Sequence, residues 1–206
     1  CNSPYLFGRD PGVKESFFEV LLMSKIYSLM TQGIGWIFCV LVFLIPILAF
    51  WHTYDSATIK ITLMQLGMVL ALALWLAKTL ELGRIEAPSG ILKILRPALL
   101  LLAWALAMFF ANPYKMASLQ EALQYMLFLA TFILAASELS EPFWAQKIWD
   151  FAIASLAVVV TYGVFQRFEL DPLLWKGAWG SQIFSSLMNP DHLGAFLVAL
   201  MPFCWI

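Results

Sequence analysis

Four residues, Asn189, Pro190, Asp191 and His192, stand directly before an apolar run that continues to Ile206. In this order they open a helix: Asn189 accepts a backbone N–H as N-cap, Pro190 brings a pre-set φ to the first helical position, and Asp191 faces the positive end of the helix dipole. A helix start of this kind also offers N–H groups to a phosphate. His192 carries an imidazole, the side chain most often used as a general base. With no carboxylate or nucleophile to name as its partner, it is read first as a polar first-turn residue. Arg167, in "YGVFQRFELDPLLW", carries a guanidinium fork suited to a diphosphate. Pairing with Glu169, or snorkelling to lipid headgroups, would use the same position without chemistry and is the preferred reading. The cysteines, Cys1, Cys39 and Cys204, lack the close spacing of a metal site, and neither a metal nor a cofactor is expected.

The elements that must position these residues are membrane helices. The chain is 62% hydrophobic and 12% charged, with a mean hydropathy of +0.84, far from the roughly 25% charge of soluble domains. Apolar blocks at Ile34 to Trp51, Ile61 to Leu80, Ile91 to Ala111, Leu119 to Leu139 and Ile148 to Phe168 hold 18 to 21 residues each, near the ~20 of one crossing. A sixth, from Leu193, reaches the last residue after 14. The expected fold is therefore all-α: a polytopic transmembrane helical bundle of five complete spans plus a truncated sixth. Residues 1-33 are expected to form an N-terminal cytoplasmic or interfacial segment, in which Val13 to Met30 mixes apolar and charged residues as an interfacial helix does. Residues 34-206 are expected to form the transmembrane domain, and Met23 is a candidate for the natural start. Short loops make neighbouring helices antiparallel. The exception is loop 169-192, whose Trp175 and Trp179 suit headgroup depth and whose length suits a functional cleft or a plain anchor. Ser118 and Glu121 form a capping-box pattern at the start of the fourth span.

The succession "IKITLMQLGMVLALALWLAKTLELGR", "LLLLAWALAMFFANPYKMASLQEALQYMLFLATFIL", "TYGVFQRFELDPLLW" and "SQIFSSLMNPDHLGAFLVALMPF" resembles the N-terminal half of the O-antigen ligase and polymerase superfamily. The resemblance covers Ile59 to Phe203, and its most specific part is Asn189-Pro190-Asp191-His192 with Ala195, Phe196, Leu197 and Pro202. It implies a bacterial inner-membrane protein of lipopolysaccharide or polysaccharide biosynthesis. Such a glycosyltransferase passes a glycan from undecaprenyl diphosphate to a lipid or glycan acceptor on the periplasmic face. Its partners are then the bilayer, the carrier-linked glycan and the acceptor, with no nucleic acid. Where the family commonly has an arginine several residues before the Asn-Pro, this chain has Gln182. The resemblance thus implies Arg167, Gln182, Asn189, Pro190 and His192 as substrate-binding candidates and places the catalytic residues beyond residue 206, so that this stretch alone is expected to be inactive. Two other readings stay open: a polytopic transporter or flippase, and a non-catalytic membrane subunit.

Lysine and arginine fall eight to four on alternate sides of the spans, which places the N-terminus in the cytoplasm. After removal of the native cysteines, a cysteine at Ser118 should react with an impermeant reagent in intact cells and one at Ser89 should not. Labelling at Ser89 without labelling at Ser118 would reverse this orientation.

Overall fold

The computed structural model describes residues 11–49, 56–83, 91–171 and 182–201. These form α1 (Pro11–Ile47), α2 (Ser56–Leu82), α3 (Ile91–Ala111), α4 (Lys115–Glu138), α5 (Pro142–Arg167) and α6 (Pro190–Leu200), with a 3-10 turn at Ser185–Leu187. No strand occurs among the described residues. Four stretches, Ser24–Ile47, Ala57–Glu81, Lys115–Glu138 and Pro142–Arg167, are long and apolar enough to cross a membrane. Helix α3 occupies its expected bounds, but Lys93 and Arg96 fall in its first two turns and its apolar part, Leu95–Ala111, is shorter.

Two expectations are corrected. No break separates an interfacial helix from the first span, because nothing between Val13 and Ile45 interrupts the hydrogen-bond ladder as proline would. The amphipathic stretch is instead the leading part of a 37-residue helix, about 55 Å long at ~1.5 Å per residue. The capping box at Ser118 and Glu121 does not form either, since α4 has its N-cap at Tyr114, four residues earlier. Asn112 Oδ1 accepts from Tyr114 N at 2.9 Å across Pro113, which turns the chain immediately after α3. Lys115 then reaches back to the carbonyls of Phe109 and Phe110 at 2.9 and 2.7 Å, a cation at a helix C-terminus.

Helix α1 packs between α2 and α5, α3 pairs with α4, and α4 leans on α2 and α1. The core is small: Ile34, Phe38, Cys39, Met68, Ala71, Leu134, Leu139 and Trp144. Close approach of α1 and α5 depends on Gly35, where a Cβ would lie 2.5 Å from the Trp144 ring. Trp36 meets that ring edge-on at 6.0 Å between centroids. Most other large apolar side chains point outward, with Leu100 72% and Phe110 77% exposed. So much exposed apolar surface suits lipid rather than water as the surrounding medium.

One charge pair lies in this apolar frame. Lys78 of α2 donates to Glu138 Oε2 of α4, with both side chains at most 5% exposed. The Lys78 ammonium also lies 4.2 Å from the centre of the Tyr27 ring on α1, so three helices meet at one cation. Breaking such a pair leaves a buried charge alone, whereas removing both charges does not. Glu138→Leu should therefore lower stability in detergent by about 3 kcal/mol. Lys78→Met combined with Glu138→Leu should restore most of it, as read from thermal unfolding of the purified variants.

Candidate functional site

At the end of the bundle opposite Lys78, the chain re-enters the helices through the Ser185–Leu187 turn. Its two serines are buried although neither lies in an α-helix, so their polar groups need protein partners. Ser185 Oγ donates to the Val159 carbonyl of α5 at 2.6 Å, and Ser186 Oγ to the Pro46 carbonyl of α1 at 2.8 Å. Pro46 lies in the last turn of α1, where carbonyls lack partners within the helix. Lys60 of α2 donates to the Ser186 carbonyl at 3.1 Å. Three helices thus hold one turn.

Gln166, near the end of α5, orders the approach. Its Oε1 accepts from Ser185 N at 2.7 Å and Phe184 N at 3.3 Å, while its Nε2 donates to Asp171 at 3.2 Å. Tyr162, one turn earlier on the same face, donates its hydroxyl to both Asp171 oxygens at 2.8 and 2.9 Å. Between them, Gly163 lets the turn come close: a Cβ there would stand 3.3 Å from Ile183 Cγ2. Ser185 and Met188 adopt φ of 51° and 58°, a left-handed conformation that costs each about 1 kcal/mol. Those two residues bend the chain sharply enough to send adjacent serines to different helices.

The turn delivers the start of α6. Asn189 accepts from Asp191 N at 2.8 Å as the N-cap, Pro190 follows at the first helical position, and Asp191 lies in the first turn. Between α5 and α6 opens an apolar groove of about 280 Å³, with walls that include Val160, Val164, Ile183, Leu193 and Leu197 and with Arg167 among its lining residues. Arg167 makes no ion pair with Glu169 or any other described carboxylate, so of the two non-chemical uses read from the sequence the Glu169 pair does not form. Glu169 itself sits in a tight turn at φ 58°, just past the helix end.

The structure brings Arg167 to the groove and Asn189 and Pro190 to the mouth of α6. It does not gather the other two candidates. Gln182 is exposed and bonded to no described residue, although its neighbour Ile183 lines the groove. His192 is exposed on the first turn of α6, without a hydrogen-bonding or charged partner among the described residues. Trp175 and Trp179 of loop 169-192 lie outside the described residues. Sequence reasoning missed Lys60, Tyr162, Gly163, Gln166, Ser185 and Ser186. The available signal was the i, i+4 pair Tyr162 and Gln166 at the end of an apolar helix. No group of three or more metal-binding side chains occurs among the described residues.

Comparison with known proteins finds no matching family model, no similar curated protein and no similar solved structure.

Replacing Gln166 by leucine would strand two backbone N–H groups and release Asp171 from one donor. At about 1–2 kcal/mol for a buried donor left unpaired, amides from Ile183 to Met188 should exchange roughly ten-fold faster. Peptides from α2 should be unchanged, and hydrogen exchange followed by mass spectrometry checks both.

Proposed function

We propose that the chain is the N-terminal part of a membrane glycan ligase or polymerase that takes its donor from a polyprenyl diphosphate. The observation that carries this reading is the pairing of an apolar groove with a guanidinium that has no carboxylate partner among the described residues. A lipid carrier presents the same two features in the same order, a hydrocarbon chain and then a diphosphate. In the groove, Val160, Val164 and Leu197 would contact the chain, and Arg167 would meet the diphosphate through its planar fork of donors. The resemblance of the Asn189-Pro190-Asp191-His192 segment to the O-antigen ligase and polymerase superfamily supports the same assignment.

In this reading α3 and α6 continue as crossings, giving five complete spans and a sixth that runs on. The N-terminus is cytoplasmic, the protein lies in the bacterial inner membrane, and the groove opens to the periplasm. The acceptor hydroxyl attacks the anomeric carbon of the glycan, the bond from that carbon to the diphosphate oxygen breaks, and the diphosphate leaves with the electron pair. A base takes the hydroxyl proton, and cationic groups stabilise the leaving diphosphate. Arg167 belongs to that cationic set, and the base lies beyond residue 206. A transporter would more often carry an ionisable group near mid-depth. Here the one buried ion pair among the described residues, Lys78 with Glu138, joins the last turns of two helices.

In the full-length protein, Arg167→Ala should leave the membrane level near that of wild type and lower glycan transfer at least ten-fold, with Arg167→Lys intermediate because a point charge replaces the fork. Asn189→Ala should lower folded protein modestly, by the ~1 kcal/mol of a lost cap. His192→Ala should be mild in both respects. Membrane blots and transfer of a radiolabelled glycan read these effects. An abundant, fully active Arg167→Ala protein would sink the assignment, and an abundant but inactive His192→Ala protein would move that histidine into the chemistry.

A further inference from the structure

We propose that a pocket between α1 and the start of α5, at the other end of α5 from Arg167, binds a primary ammonium group. The pocket measures about 420 Å³. Its aromatic side is built by Trp36, Phe143 and Trp144, with Trp144 held edge-on by both others at centroid distances of 6.0 and 5.0 Å. Its polar side is built by Glu141, Gln32 and Thr31.

Each polar member has acceptor capacity to spare. The Glu141 side chain does not cap α5, and no described cation pairs with it. The two lysines nearest by contact are already compensated: Lys78 by Glu138, and Lys147, 6.0 Å from the Phe143 ring centre, by Asp150 at 3.5 Å. Gln32 uses its Nε2 on Ser28 Oγ at 3.2 Å, so its carbonyl oxygen is the end left to accept. The Thr31 hydroxyl is buried and has no hydrogen-bond partner among the described residues. A carboxylate without a counter-ion among the described residues, flanked by acceptors and aromatic side chains, selects a cation that brings its own N–H donors. Trp36 and Thr31 lie within the membrane-crossing stretch of α1 and Glu141 just before that of α5, so the pocket opens where a helix leaves the hydrocarbon. Two sources supply this chemistry there, the ethanolamine head of a phospholipid and a free alkylamine.

Native mass spectrometry of the full chain in detergent separates these cases. Phosphatidylethanolamine should be retained in preference to phosphatidylglycerol, and Glu141→Gln should weaken that retention roughly five-fold while leaving phosphatidylglycerol unaffected. Trp36→Leu, at a half-exposed position, should give a similar loss. Soluble glycerophosphoethanolamine displaces the lipid if the headgroup amine alone is recognised, and leaves it in place if the acyl chains are held as well. Equal retention of both lipids by the wild-type chain, or unchanged phosphatidylethanolamine retention in a Glu141→Gln chain with wild-type thermal stability, would overturn the proposal. Neither result depends on Arg167 or on glycan transfer.

Discussion

A non-helical turn seated among apolar helices must find a partner for every polar group it brings with it, because lipid supplies none. The Ser185–Leu187 turn meets that constraint with groups from three helices: Pro46 of α1, Lys60 of α2, and Val159 and Gln166 of α5. The arrangement works in both directions. The turn supplies a donor to a carbonyl at the end of α1, and the helices fix where the turn sits. Since only Met188 and Asn189 separate the turn from α6, the N-terminus of α6 inherits that position, and so does the groove between α5 and α6.

The two ends of the bundle handle charge in opposite ways. At one end Lys78 is buried, so it is paired with Glu138 and covered by Tyr27, and the α3–α4 hairpin is tied there to the rest of the bundle. At the other end Arg167 is exposed beside an apolar groove and pairs with no carboxylate among the described residues. A buried charge needs its counter-ion within the protein, whereas a charge at a helix end can take one from outside. Lys78 is accordingly a structural cation and Arg167 an available one.

Much of the helical frame was legible because its punctuation is local. The bounds of α3 follow from Pro88 and Gly90 before it and Asn112-Pro113 after it, and the cap at Asn189 follows from a tetrapeptide. What sequence could not supply was pairing across distance: Lys78 and Glu138 are 60 positions apart, and Ser186 and Pro46 are 140 apart. The capping-box reading at Ser118 failed for a local reason. An Asn-Pro turn competes for the same helix start, and it sets the N-cap at Tyr114, four residues earlier. Attention to Gln182, several residues before the Asn-Pro, likewise passed over Gln166. Gln166 lies far back in the chain, but its amide is what bonds the turn.

The strain at Ser185 and Met188 bears on why this turn exists in this form. Glycine at either position would adopt the left-handed backbone without penalty. At Ser185 that substitution would remove the hydroxyl that reaches Val159, so the side chain and the strained backbone are kept together. At Met188 the left-handed residue closes the 3-10 turn, its N–H bonded back to the Ser185 carbonyl at 3.4 Å, and hands the chain to Asn189 in an extended conformation. Asn189 needs that extended backbone to cap α6, and Pro190 then fixes the next φ. Four consecutive backbone states are thereby determined, from the 3-10 turn to the first helical residue. The direction in which α6 leaves the turn follows from local chemistry, even though few contacts hold α6 from the side.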